Sequence, residues 1–187
     1  MIRAKKHLGQ HFLSDKNIAR KIAELLPHNN LPVLEIGPGT GVLTKFLLEI
    51  HKEKLHVIEI DPESVDVLKN DIPELTPRIH FADFLKTDLN SIFESPFMVI
   101  GNFPYNISSP ILFKLVEQHS KVPVIAGMFQ KEVAERIASK HNSKQYGILS
   151  VYLQLFYKIH YCFTVHENVF VPPPKVKSGV IFLEHID

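Results

Sequence analysis

A short apolar segment leads into a glycine loop and then into a segment of helical spacing, and this order constrains the fold more than any other feature. The apolar segment is 33–36, the loop is Gly37-Pro38-Gly39-Thr40-Gly41, and residues 42–48 repeat apolar side chains as a helix does. This is the order of a nucleotide-binding βα turn, in which glycines let the backbone approach a ligand and the helix N-terminus attracts negative charge. The GxGxG spacing lacks the last glycine of the dinucleotide GxGxxG pattern, which weakens the case for NAD.

Two further apolar segments end in acidic residues. Glu59 closes the segment that begins at residue 55, about 20 residues past the glycine loop, where a carboxylate can accept both hydroxyls of a ribose. Asp83 follows the apolar residues from 79, where it can accept from an adenine amino group, with Phe84 beside it. The two acids together predict a ligand that contains adenosine.

The residues Asn102-Phe103-Pro104-Tyr105 follow an apolar segment, 97–101, that predicts a buried strand. The Asn102 side-chain carbonyl and the Phe103 backbone carbonyl, which Pro104 helps to orient, are two acceptors that can converge on one NH2 group. Tyr105 supplies a ring on which a flat base can stack. These residues predict group transfer to the exocyclic nitrogen of a nucleobase taken out of its stack. The alternative is a simple turn at a strand end, where Asn-x-Pro sequences are common.

One ligand fits the loop, both acids and the amine-binding residues, and it is S-adenosylmethionine. Its methionine carboxylate would lie at the helix N-terminus, its ribose at Glu59 and its adenine near Asp83, with the methyl group aimed at Asn102. The expected reaction is direct in-line methyl transfer, in which correct orientation can lower the barrier by about 7 to 11 kcal/mol. Cys162 reads as a buried thiol and gives no support to covalent cysteine chemistry.

Several motifs resemble those of the small-subunit ribosomal RNA adenine dimethyltransferase family, and they span the whole chain. They are Gln10-His11-Phe12-Leu13, residues 35–44, Glu59, Asp83, and residues 102–110, 130–137 and 172–183. The resemblance implies N6,N6-dimethylation of two adjacent adenosines near the 3′ end of 16S ribosomal RNA in the pre-ribosomal particle. It also implies that His11 and Leu13 close the cofactor pocket and that Phe170 forms a second wall for the flipped base. The Erm enzymes share the layout, but GPGTG and NISSP resemble the small-subunit branch.

The chain departs from the family pattern in its length and in one motif residue. The family more often has Leu where this chain has Phe103, and it has either His or Asn at the position of His11. Members usually carry a small helical domain after the PPPKV segment, whereas this chain ends at Asp187. We therefore expect one methyltransferase domain over residues 1–187, with a basic arm at 1–13 and without the helical domain. Its loss would weaken docking on the ribosomal subunit before it affected cofactor binding.

Short apolar segments alternate with segments of helical spacing along most of the chain. The first helix is predicted from Ser14, as its N-cap, to about Leu26. Residues 146–156 are dense enough in apolar side chains to predict a buried helix. The pattern predicts an α/β, doubly wound, Rossmann-like class I methyltransferase fold whose mostly parallel sheet of seven strands ends in an antiparallel hairpin. Strands are expected at 33–36, 55–60, 79–82, 97–101, 122–128, 157–165 and 176–184, and the other helices at 41–51, 63–70, 109–119 and 131–140.

Basic residues are concentrated at the N-terminus although the net charge is only +1. Residues 1–30 hold six basic residues against two acidic ones, and residues 31–120 hold seven against thirteen. This asymmetry predicts RNA phosphate contacts at one edge, with an affinity that falls steeply with salt. A solvated tail is the alternative for residues 1–6. The candidate phosphate contacts are Arg3, Lys5, Lys6, Lys175 and Lys177.

Composition agrees with one globular domain. A chain of 187 residues with 45% hydrophobic content can bury a sizeable core without disulfide or metal support. His7 and His11 have the spacing of a zinc pair, but Gly9 lies between them and no third ligand is evident, so we expect no metal. No stretch approaches the roughly 20 apolar residues of a membrane span, and we expect a cytoplasmic monomer.

Two other functional classes remain open at this level. A non-catalytic RNA-binding assembly factor could keep the fold, but it would be expected to have lost part of the NFPY motif or the glycine loop. An N6-adenine methyltransferase that acts on DNA or on another RNA would share the amine-binding residues. Methylation assays on RNA and on DNA separate these classes.

Overall fold

The computed structural model describes residues 2–186 and shows an α/β fold. Seven strands form one sheet in the order β4-β3-β2-β5-β6-β9-β7, and β1 pairs with β8 in a second, antiparallel sheet. The first five strands of the large sheet are parallel, while β9 is antiparallel to both β6 and β7. The elements are β1 (Phe12–Leu13), α1 (Lys16–Ala23), β2 (Val33–Ile36), α2 (Val42–His51), β3 (Leu55–Glu59), α3 (Pro62–Asp71), β4 (Ile79–Phe81), β5 (Met98–Asn102), α4 (Ser108–Glu117), β6 (Val124–Gln130), α5 (Lys131–Ala138), α6 (Ile148–Gln154), β7 (Tyr157–Val165), β8 (Phe170–Val171) and β9 (Ser178–His185).

The central strands are apolar on both faces because helices cover both sides of the sheet. All four residues of β2 are buried, as are the first four of β5 and the first six of β6. Such continuous apolar runs are typical of parallel sheets with two covered faces. The predicted doubly wound fold, with its mostly parallel sheet and its antiparallel edge, is confirmed.

The parallel strands all end at one edge of the sheet, and this edge is where open α/β sheets bind their ligands. The glycine loop follows β2 there, Glu59 ends β3, and Asn102 ends β5. The antiparallel pair of β1 with β8 joins Leu13 to Phe170 and Phe12 to Val171, so it ties the N-terminal segment to the loop before β9.

Helix α1 begins later than predicted. Its N-cap is Asp15, whose side chain accepts from the backbone N–H groups of Asn17 and Ile18 at 2.8 and 3.1 Å. The hydroxyl of Ser14 instead donates to the Val169 carbonyl at 2.8 Å, next to the small sheet. The sequence offers two adjacent residues that favour an N-cap, and only the tertiary contact of Ser14 decides between them.

The prediction of a buried helix at 146–156 is wrong in part. A helix forms there, but α6 covers only residues 148–154 and buries one face, through Leu149 and Leu153. On the other face Ile148 is 79% exposed and Leu155, just past the helix, is 64% exposed. The density of apolar residues predicted burial, whereas the packing leaves one apolar face in contact with solvent.

Candidate active site

A cavity of about 210 Å³ lies at the carboxyl ends of β2, β3 and β5. Residues from five separate parts of the chain form its walls. Among those predicted from the sequence, the structure brings together His11, Leu13, Gly37, Gly39, Glu59, Asp83, Phe84, Asn102, Phe103, Pro104 and Tyr105.

Glu59 is held rigidly in the cavity wall by backbone donors. Its Oε2 accepts from the N–H of Gly39 at 3.1 Å, and its Oε1 accepts from the N–H groups of Ile60 and Asp61, both at 3.0 Å. Burial raises the pKa of this carboxyl, and these backbone hydrogen bonds oppose the rise. A carboxylate has about four acceptor positions, so lone pairs remain for hydroxyl groups of a ligand.

The glycine loop comes close to the N-terminal segment. Gly39 has a φ of 55°, and a Cβ atom there would lie 2.9 Å from the ring of Phe12. Gly41 does not line the cavity; its N–H donates to the Pro38 carbonyl at 2.9 Å and it precedes the first turn of α2. Gly39 therefore gives access to the ligand, whereas Gly41 shapes the turn.

Asn102 is oriented by the backbone of the N-terminal segment. Its Nδ2 donates to the His11 carbonyl at 3.0 Å, so its Oδ1 stays free to accept. The N–H of Phe103 donates to the Met128 carbonyl at 3.2 Å, and the Phe103 ring is buried against Phe129 with centroids 4.7 Å apart. Phe103 thus anchors the motif in the core while its neighbour faces the cavity.

Tyr105 stands at the mouth of the cavity and is fixed at both ends. Its ring lies 5.3 Å from the His11 ring, centroid to centroid, at an angle of 31°. Its hydroxyl bonds to the hydroxyl of Ser178, a fully buried residue of β9. Burial raises the pKa of the Tyr105 hydroxyl, so it stays neutral. The second nitrogen contact of the set is His11 Nδ1, which donates to the Pro172 carbonyl at 2.9 Å.

The Asp83 loop is stabilised from below by a lysine of α4. Asp83 Oδ1 accepts from the N–H of Leu85 at 3.0 Å. Lys114 Nζ donates to the carbonyls of Phe84, Leu85 and Thr87 at 2.8, 3.2 and 2.5 Å. One side chain therefore holds three consecutive parts of the loop that carries the predicted adenine contact.

The structure does not bring Phe170 to the cavity. Its side chain is 2% exposed and packs in the core with Leu13 and Val165. Of the predicted phosphate contacts, Lys5 is paired with two carboxylates, while Arg3, Lys6, Lys175 and Lys177 are exposed. Burial also raises the pKa of the half-buried Cys162, which lies outside the cavity.

Sequence reasoning missed two acidic residues of this region. Glu35 lies within β2 at the cavity wall, only 1% exposed, with no hydrogen-bond partner for its Oε2; burial raises its pKa to about 8. Asp61 is fully buried and accepts from Lys5 Nζ at 2.5 Å and from Gln10 Nε2 at 2.9 Å. The available signals were an acid inside an apolar strand, for Glu35, and a second acid just after Glu59, for Asp61.

Comparison with known proteins settles the family. The model of the family described as ribosomal RNA adenine dimethylase matches residues 1–187. The chain belongs to this family. It is 57% identical over 182 residues to the ribosomal RNA small subunit methyltransferase A of Flavobacterium johnsoniae, covering 96% of this chain and 69% of the relative. To the protein of that name from Cytophaga hutchinsonii it is 54% identical over 185 residues, covering 98% of this chain and 72% of the relative.

Solved structures agree with this assignment. The dimethyladenosine transferase of Plasmodium falciparum is 33% identical with a TM-score of 0.79, and the match covers 94% of this chain and 64% of that one. The 23S rRNA methyltransferase ErmE is 29% identical with a TM-score of 0.81, covering 94% and 70%. The predicted family, its Rossmann-like fold and the assignment as a methyltransferase are confirmed. Within residues 2–186, no helix has the length and apolar character needed to cross a membrane.

Proposed function

We propose that this chain transfers two methyl groups from S-adenosylmethionine to the N6 atom of adenine in small-subunit ribosomal RNA. The observation that carries the proposal is the orientation of Asn102. Its amide N–H is occupied by the His11 carbonyl, so its carbonyl oxygen is left to accept from an amine beside the Tyr105 ring. Relatives more than 50% identical bear the name small subunit methyltransferase, which favours the small subunit over the 23S substrate named for ErmE.

The cavity fits the proposed cofactor. The Glu59 carboxylate, fixed by three backbone donors, would take the ribose hydroxyls, and the loop at Gly37 and Gly39 would admit the methionine end. Asp83 would accept from the adenine amino group, with Phe84 in the adjacent wall. Bound S-adenosylmethionine would supply a sulfonium methyl group that is already activated for transfer. His11 and Leu13 would cover it from the N-terminal side.

The residues of the NFPY motif would prepare the attacking nitrogen. The lone pair of an adenine N6 is delocalised into the ring, so the amine is a weak nucleophile. Two acceptors, Asn102 Oδ1 and the Phe103 carbonyl, would hold its hydrogens and favour a more tetrahedral nitrogen. The N–C bond forms as the C–S bond breaks, with its electron pair left on sulfur, and the acidified nitrogen then loses a proton to water. A neutral Asn suits this site because positive charge passes to the nitrogen.

Substrate recognition would depend on the exposed basic residues. Lys6, Lys175 and Lys177 are exposed and are proposed to contact RNA phosphates, together with Arg3. The modified nucleotides are proposed to be two adjacent adenosines near the 3′ end of 16S RNA in the pre-ribosomal particle, with the enzyme acting as a cytoplasmic monomer. Single-domain architecture over residues 1–187 stays a prediction.

The direct test is mass spectrometry of adenosines from undermethylated small ribosomal subunits incubated with the protein and methyl donor. We expect N6,N6-dimethyladenosine in the RNA and none in a DNA control. Asn102→Ala should lower the single-turnover rate by roughly a hundredfold with little loss of cofactor affinity, because the acceptor acts in the transition state. Asn90→Ala, at an exposed surface turn, is the matched control. Wild-type dimethylation by Asn102→Ala would make the motif a structural turn.

A further inference from the structure

Two side chains of the N-terminal segment converge on one buried carboxylate. We call residues 5–13 the arm. Lys5 Nζ lies 2.5 Å from Asp61 Oδ1, and Gln10 Nε2 donates to Asp61 Oδ2 at 2.9 Å. The same two arm residues are joined to each other, because the Lys5 N–H donates to Gln10 Oε1 at 2.7 Å. The arm is therefore fastened to the start of α3 by both oxygens of Asp61.

Asp61 also belongs to the framework of the cofactor half of the cavity. Its N–H donates to Glu59 Oε1 at 3.0 Å, and its side chain caps α3 through the N–H of Glu63 at 3.2 Å and the hydroxyl of Ser64 at 3.2 Å. Asp61 is fully buried, so it cannot move independently of Glu59 and α3. An arm fastened to Asp61 is thereby held at a fixed distance from the ribose position.

The part of the arm beyond Gln10 forms one side of the cavity. The Phe12 ring fills the space above Gly39, and Leu13 is 5% exposed. The His11 carbonyl orients Asn102, and the His11 ring faces Tyr105. The position of the arm thus affects both the cover over the cofactor and the acceptor of the amine.

We propose that Lys5 and Gln10 are positioning residues that fasten the arm over the cofactor through Asp61, and that Lys5 serves cofactor binding instead of RNA phosphate contact. The inference rests on the proposed function only in taking the cofactor to bind in this cavity. Lys5 Nζ also lies 3.0 Å from Glu63 Oε1, so its charge is neutralised by two carboxylates. A phosphate would have to displace both, and the adjacent acids would repel it.

The neighbouring residue provides a matched control. Lys6 has the same side chain one position further along, but it is exposed, and no salt bridge is found for it among the described residues. A tail that binds RNA only through its charge would respond alike to loss of either lysine. A fastened arm responds to loss of Lys5 alone.

The experiment measures S-adenosylmethionine affinity by calorimetry without RNA. Lys5→Ala should weaken binding by about tenfold, because a hydrogen-bonded charge pair is lost, while Lys6→Ala stays within about twofold of wild type. Lys5→Arg should restore most of the affinity. Hydrogen exchange of residues 7–13 should quicken in Lys5→Ala and in Gln10→Ala, with an unchanged core, which separates loosening of the arm from unfolding.

Two results would overturn the inference. Equal cofactor affinity in Lys5→Ala and Lys6→Ala, together with an RNA salt slope reduced in both, would make Lys5 a phosphate contact. Unchanged exchange of the arm in Lys5→Ala would show that the contact with Asp61 does not hold it. If the wild-type protein failed to bind S-adenosylmethionine at all, the cofactor assignment itself would fall and this inference with it.

Discussion

Replacement of Glu35 by Gln should make the protein more stable at neutral and alkaline pH. Glu35 lies in the middle of the central strand β2 and is 1% exposed, with no partner for its Oε2. Burial raises its pKa from 4.5 to about 8 because the charged form loses its hydration. The folded protein therefore keeps this carboxyl protonated at pH 7, whereas the unfolded chain ionises it.

The size of the effect follows from proton linkage. The contribution of Glu35 to stability is fully present below pH 4.5, where both states are protonated, and it is lost as the pH rises toward about 8. At pH 7 the unfolded state has gained about 2.5 pKa units, each worth about 1.4 kcal/mol. Ionisation thus costs the folded state roughly 3 kcal/mol, a large part of the 5 to 15 kcal/mol typical of a domain.

Urea denaturation between pH 5 and 7.5 measures this. Relative to Glu35→Gln, the wild-type protein should lose about 3 kcal/mol of unfolding free energy across that range. Gln has nearly the same shape, so packing is preserved and the difference reports the proton. Glu49→Gln, at an exposed position of α2, should run parallel to wild type. Parallel curves for wild type and Glu35→Gln would refute the reasoning, because they would mean that Glu35 is ionised in the folded state.

Three further predictions concern the base site, the Asp83 loop and acid stability. Tyr105→Phe should keep most single-turnover activity on saturating RNA and lose only the bond to Ser178, whereas Tyr105→Ala should lose stacking worth roughly 1 to 3 kcal/mol. Lys114→Met removes three hydrogen bonds to the loop that carries Asp83, so cofactor affinity by calorimetry should fall several-fold, and unchanged affinity would contradict the role. Burial lowers the pKa of His56 to about 4, so its contribution to stability should be lost as the pH falls from about 6.5 to 4. Denaturation of His56→Phe should show a flatter acid limb than wild type.

The elements at the strand ends could be predicted because their signals are local. The glycine loop, Glu59, Asp83 and Asn102 each follow a short apolar segment, and parallel strands bring their carboxyl ends to one edge whatever the detailed packing. The β2, β3 and β5 boundaries agree with prediction to within about one residue for the same reason. Family resemblance added His11 and Leu13, which no periodicity singled out.

The remaining features depend on the path of the chain. Phe170 and Tyr105 are both aromatic residues next to a proline, yet one packs in the core and the other faces the cavity, and only the pairing of β1 with β8 separates them. Lys5 was read as a phosphate contact from charge density alone. Its partner Asp61 is 56 residues away, a separation at which sequence pattern carries no information about contact.

The arm explains why the NFPY motif acts as more than a turn. An Asn at a strand end can point its amide either way, and a rotated amide would offer an N–H where an acceptor is needed. The His11 carbonyl removes that freedom, because it can only accept and thereby fixes Nδ2 toward the arm. His11 is in turn held at Nδ1 by the Pro172 carbonyl, and the arm is fastened at Asp61. The chemistry expected of Asn102 therefore depends on residues about 90 positions earlier in the chain, so substitutions in the arm should reduce methyl transfer even where they leave the motif unchanged.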